Sequence, residues 1–222
     1  MTSSTSQYPW RSVSASSMRG QFLFIVLLAF IAIPTFAIAQ KPPSEYSTLL
    51  ASLKAGNTDV DYARLRLSYM DSPERKQAKD TGDSEKAMII SLNAKDYAEA
   101  IEQADTVLAN EYVSIDAHIV EAAAYRGLGV MDKADFHRAI WRGLMDSIVR
   151  SSDGKSPKTA WVVISVHEEY VVLQVLGFTL SQQSLLHQDG HSYDEMKVRN
   201  QQDRSDQTFY FNVDIPFKSY GS

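Results

Sequence analysis

An internal period restricts the fold of this chain more than any other feature. Within NAKDYAEAIEQADTVL (93–108) and GVMDKADFHRAIWRGL (129–144), a shift of 34 residues superimposes 95–108 on 129–142, which places Ala100 over Ala134 and Tyr97 over Met131. A shift of that length is one supersecondary unit, and such a unit cannot bury its apolar face alone. The unit has to stack on neighbours. Around it, from Ser44 to about Arg150, apolar residues recur at helical spacing.

Thirty-four residues is the tetratricopeptide period, and the local pattern suits antiparallel helix pairs. Ala122 on one helix is expected to face Ala134 on the next, two small residues that let backbones approach, with Tyr125 wedged at the crossing and Leu128-Gly129 ending the helix. Asp96 followed by Glu99 resembles a capping box, and Tyr97, Ile101, Ala104 and Leu108 run down one face. The match is partial: Met88 stands where a small residue belongs, Tyr112 near the usual proline, and Arg138 and Trp141 where an aromatic and an alanine are usual. Two units need flanking partners, supplied by the upstream helices over 44–69 and the long helix from Asp132 to about Arg150.

Those upstream helices carry their own signals. Tyr46, Leu49, Leu50 and Leu53 follow the i, i+3, i+4, i+7 rule, with Gly56 where a left-handed cap belongs. Thr58 or Asp59 is expected to cap a second helix bearing Val60, Tyr62, Leu65 and Tyr69, which stops before Ser72-Pro73. Residues 71–82 are polar and read as a loop.

After Ser151-Ser152-Asp153-Gly154 the texture changes. Ser156-Pro157 reads as the start of a last helix over 157–168, although AWVVIS reads equally well as a strand. Beyond it, Tyr170 to Leu176, kinked at Gly177, leads into Gln182–Gln188; Asp189-Gly190 is a hairpin dipeptide before Ser192–Arg199, and Gln207–Ile215 forms a third strand ending at Pro216. The expected fold class is α+β: helical hairpins over 40–155, then a helix and a three-stranded antiparallel sheet over 156–222.

The N-terminal residues read as an address. FLFIVLLAFIAI (22–33) follows Arg19 and precedes Pro34 and Ala37-Ile38-Ala39, so residues 1–39 fit a cleaved secretory signal, with Met18 a possible true start. The competing reading is an uncleaved anchor over 22–39, which would be the chain's sole membrane contact. Either way the chain is exported, to the periplasm or beyond. Removing 1–39 takes away Arg11 and Arg19 and no acid, leaving 183 residues with 20 basic and 27 acidic side chains, net −7. No basic block tracks a phosphate backbone, so nucleic acid is not an expected partner. Without cysteine there is no disulfide, thiolate nucleophile, cysteine-ligated metal or lipobox, and the fold relies on its apolar core.

The C-terminal third carries a resemblance. VISVHEEYVVLQVLGF, then Gln183-Ser184-Leu185, Tyr193-Asp194 and Tyr210-Phe211-Asn212-Val213, with Asp61-Tyr62, Leu65-Arg66 and Tyr69 upstream, are similar to a family of exported bacterial proteins classed as a domain of unknown function, the family numbered 4919. The resemblance implies a secreted or periplasmic protein with a helical, repeat-like front and a β-containing end. It implies no activity and no catalytic residue.

Candidate chemistry is sparse. In a two-residue hairpin at Asp189-Gly190, His187 and His191 lie on opposite faces and do not converge on a metal. Of His118, His137 and His167, only the last adjoins acids, and Glu168 or Glu169 is expected to serve the helix–sheet junction, pairing with Arg64 or Arg66. No HExxH, GxSxG, GxxxxGK or SxxK pattern occurs, and no metal or cofactor is expected. The better candidate surface is the wall formed by the first helix of each unit: Lys86, Ile90 and Asn93 in one, Asp116, Ile119 and Arg126 in the other. Its mixed charge and isoleucines suit a protein or peptide partner, unless the C-terminal sheet folds back over it. The expected function is a non-catalytic binding or assembly module of the cell envelope; the alternative is an envelope hydrolase using Glu168, Glu169 and a histidine at the junction.

Overall fold

Most helices of the N-terminal part start on a side chain that satisfies the orphan amides of the first turn. In the computed structural model, which describes residues 42–220, Ser44 caps α1 (Glu45–Lys54) by accepting from the Ser47 amide at 3.0 Å. Gly56, at φ +94°, then carries the chain out of the helix. Asp61 caps α2 (Tyr62–Met70), so that helix starts later than the Thr58 or Asp59 expected. The polar stretch read as a loop holds a further short helix, α3 (Pro73–Gln77), with Ser72 as cap and proline in its first turn. The apolar leader, Met18 and the Ala37-Ile38-Ala39 site lie outside the described residues.

The repeat region forms two hairpins. α4 (Gly82–Asn93) packs on α5 (Tyr97–Asn110), and α6 (Ile115–Gly127) on α7 (Met131–Val149), while α5 also packs on α6. Three-residue turns between the helices of each pair force them to run antiparallel. Ala100 and Ala134 are both fully buried, as close contact requires. Two glycines serve the same end: a Cβ on Gly127 would collide with the Tyr97 ring, and one on Gly143 with the Tyr62 ring, which seats α2 against α7. Met88, Ala104, Val107, Val120 and Ala124 fill a small core between these helices.

The sheet differs from expectation. It has four strands in the order β1-β4-β3-β2: β1 (Trp161–Val162), β2 (Phe178–Gln188), β3 (His191–Asn200) and β4 (Asp206–Asn212). β1 runs parallel to β4, so the sheet is mixed rather than a three-stranded antiparallel meander. Its two residues come from AWVVIS, while the expected helix over 157–168 shrinks to a 3₁₀ turn at Pro157–Thr159. The hairpin at Asp189-Gly190 has the expected register, Gln188 opposite His191 and His187 opposite Ser192, with both turn residues at positive φ.

Two further corrections concern helices. Residues 170–176, read as strand, belong to α8 (Val166–Val175), which Ser165 starts by accepting from the Glu168 amide and Gly177 ends at φ +78°. A short apolar run does not distinguish strand from buried helix, and here the cap and the glycine decide. The last strand stops at Asn212, and α9 (Asp214–Tyr220) follows where the sequence continues through Pro216. The main core joins both parts of the chain: Tyr46, Leu53, Leu65 and Tyr69 from α1 and α2, Ile140, Leu144 and Ile148 from α7, and Met196, Val198, Phe209 and Phe211 from the sheet. Among the described residues no helix is long and apolar enough to cross a membrane.

Candidate functional site

The wall proposed from sequence is divided by the fold. On α4, Lys86, Ile90 and Asn93 are exposed, Ile90 to 68%, with its neighbour Ile89 at 42%. On α6, Arg126 is exposed, but Asp116 lies 2.6 Å from His167 Nε2 of α8, and Ile119 packs against the main core. The C-terminal segment therefore covers the start of α6 through α8 and leaves α4 open.

At the helix–sheet junction the three groups named from sequence go three separate ways. Glu168 is buried and bidentate with Arg66, whose Nε donates to Oε1 at 2.8 Å and Nη2 to Oε2 at 2.5 Å. The same Oε2 accepts from the Ile164 amide at 2.8 Å, and Arg66 also donates to Ser147 Oγ and to the Val162 carbonyl. His167 binds Asp116, which lifts its pKa. Glu169 is fully buried beside Asp194 of β3, and neither of its oxygens has a well-formed hydrogen bond. Burial first, then Asp194 beside it, pushes its carboxyl up to about 9, so it stays protonated at neutral pH. A side chain spent on an ion pair and one held neutral do not make an acid–base pair.

The hairpin α6–α7 brings together a group that the sequence reading passed over. His118 and Glu121 stand three residues apart on one face of α6, and His137 faces them from α7. His118 is fully buried, Glu121 nearly so, and His137 sits at the rim with a side chain 12% exposed. His118 Nε2 lies 3.0 Å from the Tyr112 carbonyl, which can only accept, so that nitrogen carries the proton and Nδ1 presents its lone pair. That lone pair faces His137 Nδ1 at 3.0 Å. His137 Nδ1 is also 2.5 Å from Glu121 Oε2, yet neither Glu121 oxygen has a partner in hydrogen-bond geometry.

The electrostatics follow from depth. Burial, then the His137 charge, pushes the His118 imidazole down to about 3, so it is neutral under any physiological condition. Burial raises the Glu121 carboxyl, His137 pulls it back down, and Asp105 on α5 raises it again. Ring packing fixes His137, with Tyr125 stacked at 5.8 Å and Phe136 edge-on at 5.2 Å. A cavity of about 480 Å³ opens onto Glu121 and His137, lined also by Asp105, Tyr125 and Lys133. Among the described residues these three side chains are the group of histidines and acids spaced to hold a metal ion, their ligand atoms all within 4.8 Å of one another. The signal in the sequence was H-x-x-E on a helix with a second histidine on the next. By contrast His187 and His191 do not converge: one contacts Ser192, the other Asp214.

The family described as domain of unknown function (DUF4919) matches residues 42–222, nearly the same span as the described structure. No curated protein and no solved structure matches the chain.

Proposed function

The chain belongs to that family, and from this premise we propose that it is a non-catalytic binding module of the cell envelope, exported by its N-terminal segment. The partner is a protein or peptide, and the hairpins α4–α5 and α6–α7 act as tetratricopeptide-like units. Their second helices begin at Tyr97 and Met131, the offset seen in the sequence, and their buried alanines support that reading.

The carrying observation is on α4. Ile89 and Ile90 are adjacent, exposed, and flanked at one turn by Lys86 and Asn93. The hairpin's own core uses Met88 and Leu92 instead, so the isoleucines contribute little to folding and offer apolar contact beside a cation. The hydrolase reading gains no support from the junction, where Glu168 and His167 are each already paired and Glu169 is sealed from solvent.

Charge reversal at two exposed positions tests the proposal. In Lys86→Glu with Arg126→Glu, capture of a partner from envelope extract is expected to weaken while the thermal midpoint holds. Undiminished capture, or a variant that no longer folds, would remove the wall from consideration.

A further inference from the structure

We propose that His118, Glu121 and His137 bind one divalent transition-metal ion, zinc the leading candidate, at a position reached through the cavity beside Tyr125. This site is independent of the α4 surface and stands or falls separately from the partner reading.

Four observations carry it. The first is the donor set: two imidazoles and one carboxylate are a zinc ligand set that leaves a fourth position open. The second is the outer support of His118, whose Nε2–H is held by the Tyr112 carbonyl while Nδ1 points inward; metal-ligating histidines are oriented in this way. The third is the deficit at Glu121. Neither oxygen of this buried carboxyl has a well-formed hydrogen bond, its close contact being His137 Nδ1 2.5 Å from Oε2, and an ion drawn in among the three side chains would replace the proton they share. The fourth is access: Glu121 and His137 line an open cavity of about 480 Å³, so an ion needs no unfolding to enter.

The distances are those of groups sharing a proton, shorter than a filled zinc shell requires. Zinc bonds of about 2.0–2.1 Å at tetrahedral angles place ligand atoms roughly 3.3 Å apart. His118 Nδ1 and His137 Nδ1 are 3.0 Å apart, and His137 and Glu121 Oε2 are closer, at 2.5 Å. Seating an ion therefore requires the His137 ring to slide outward between Tyr125 and Phe136 toward the rim, where its side chain is 12% exposed. Asp105 lines the same cavity as Glu121 and His137, so that carboxylate or a water is the candidate for the remaining position.

Tag-free protein titrated with Zn²⁺ is expected to bind one ion per chain and to gain thermal stability as zinc is added. His137→Gln, chosen because the ring is at the rim, and Glu121→Gln are each expected to weaken binding by more than about 100-fold, beyond what loss of an outer-shell partner costs. His187→Gln with His191→Gln is expected to leave it unchanged. Co²⁺ in the unmodified protein reads the site without any variant, and intense visible bands of a four- or five-coordinate ion are expected. Weak octahedral bands, no stoichiometric zinc, zinc retained by folded His137→Gln, or zinc lost with the hairpin histidines would each overturn the proposal.

Discussion

Two buried polar centres in this molecule are built from similar materials and end differently. Arg66–Glu168 ties α2 to the start of α8, and both carboxylate oxygens and all three guanidinium nitrogens have partners at 2.5–3.3 Å. His118–Glu121–His137 ties α6 to α7 with a carboxylate that has His137 Nδ1 2.5 Å from Oε2 but no well-formed hydrogen bond to either oxygen. The first needs nothing further. Burial therefore does not mark a site; an unmet requirement among converging ligand groups does, and the contrast separates a structural knot from a candidate ligand position.

The largest effect expected is at the satisfied centre. Arg66→Met should lower unfolding free energy by about 3–5 kcal/mol, because Glu168 is then an uncompensated charge in the core. Denaturant melts check this, and Glu168→Leu added to Arg66→Met should recover much of the loss. A cost near zero for Arg66→Met would mean that solvent reaches the pair and that the two centres are not different in kind.

A third buried carboxyl sharpens the comparison through pH. Glu169 in the fold titrates near 9, against about 4.5 for an ordinary glutamate. The native state keeps a proton that the unfolded chain loses, so this group's contribution is fully favourable below about pH 4.5 and is lost progressively as pH rises toward 9. Glu169→Gln should flatten that descent and match or exceed the natural chain at pH 8. The gain at neutral pH is the cost of keeping that proton about 2.5 pH units above the ordinary glutamate value, on the order of 3 kcal/mol. Equal slopes for the two proteins in melts from pH 5 to 9 would show that Glu169 is ionised and hydrated in the fold.

What could be read in advance divides along the same line. The 34-residue offset located Ala100 and Ala134, because close helix packing demands small residues at fixed spacing. Asp189-Gly190 set the hairpin register, since only residues tolerant of positive φ turn there. That an acid at the junction pairs with Arg64 or Arg66 was also legible, and Glu168 takes Arg66 while Arg64 pairs with Glu45. α8 was not: its valines suit a strand, and the deciding Ser165 cap and Gly177 stop are short signals inside an apolar run. β1 was one of two readings left open for AWVVIS because two residues carry no period, and its parallel pairing with β4 is set by contacts some fifty positions away (Trp161 with Phe211). The histidine cluster carries no local motif, since its members lie on two helices. Adjacent-residue patterns and the hairpin pair drew attention, whereas His118 and Glu121 become a ligand pair only once His137 arrives from the next helix, and that needs the α6–α7 crossing.

The smallest effect expected comes from the same chemistry at the surface. Arg199 grips Asp206 across β3 and β4 with the geometry of the buried pair, Nε to Oδ1 at 2.8 Å and Nη2 to Oδ2 at 3.0 Å. Both side chains are substantially exposed, at 46% and 68%. Water and salt screen the attraction, and holding two long side chains in register costs entropy, so the two nearly offset each other. Arg199→Gln should leave the thermal midpoint indistinguishable from that of the natural chain at physiological salt. The fork is the same in both pairs and only the surroundings differ, so the two arginine variants measured side by side isolate burial as the variable. A drop for Arg199→Gln comparable to that for Arg66→Met would assign the stability to fork geometry rather than to depth, and would leave the unmet carboxylate at Glu121 without its special meaning.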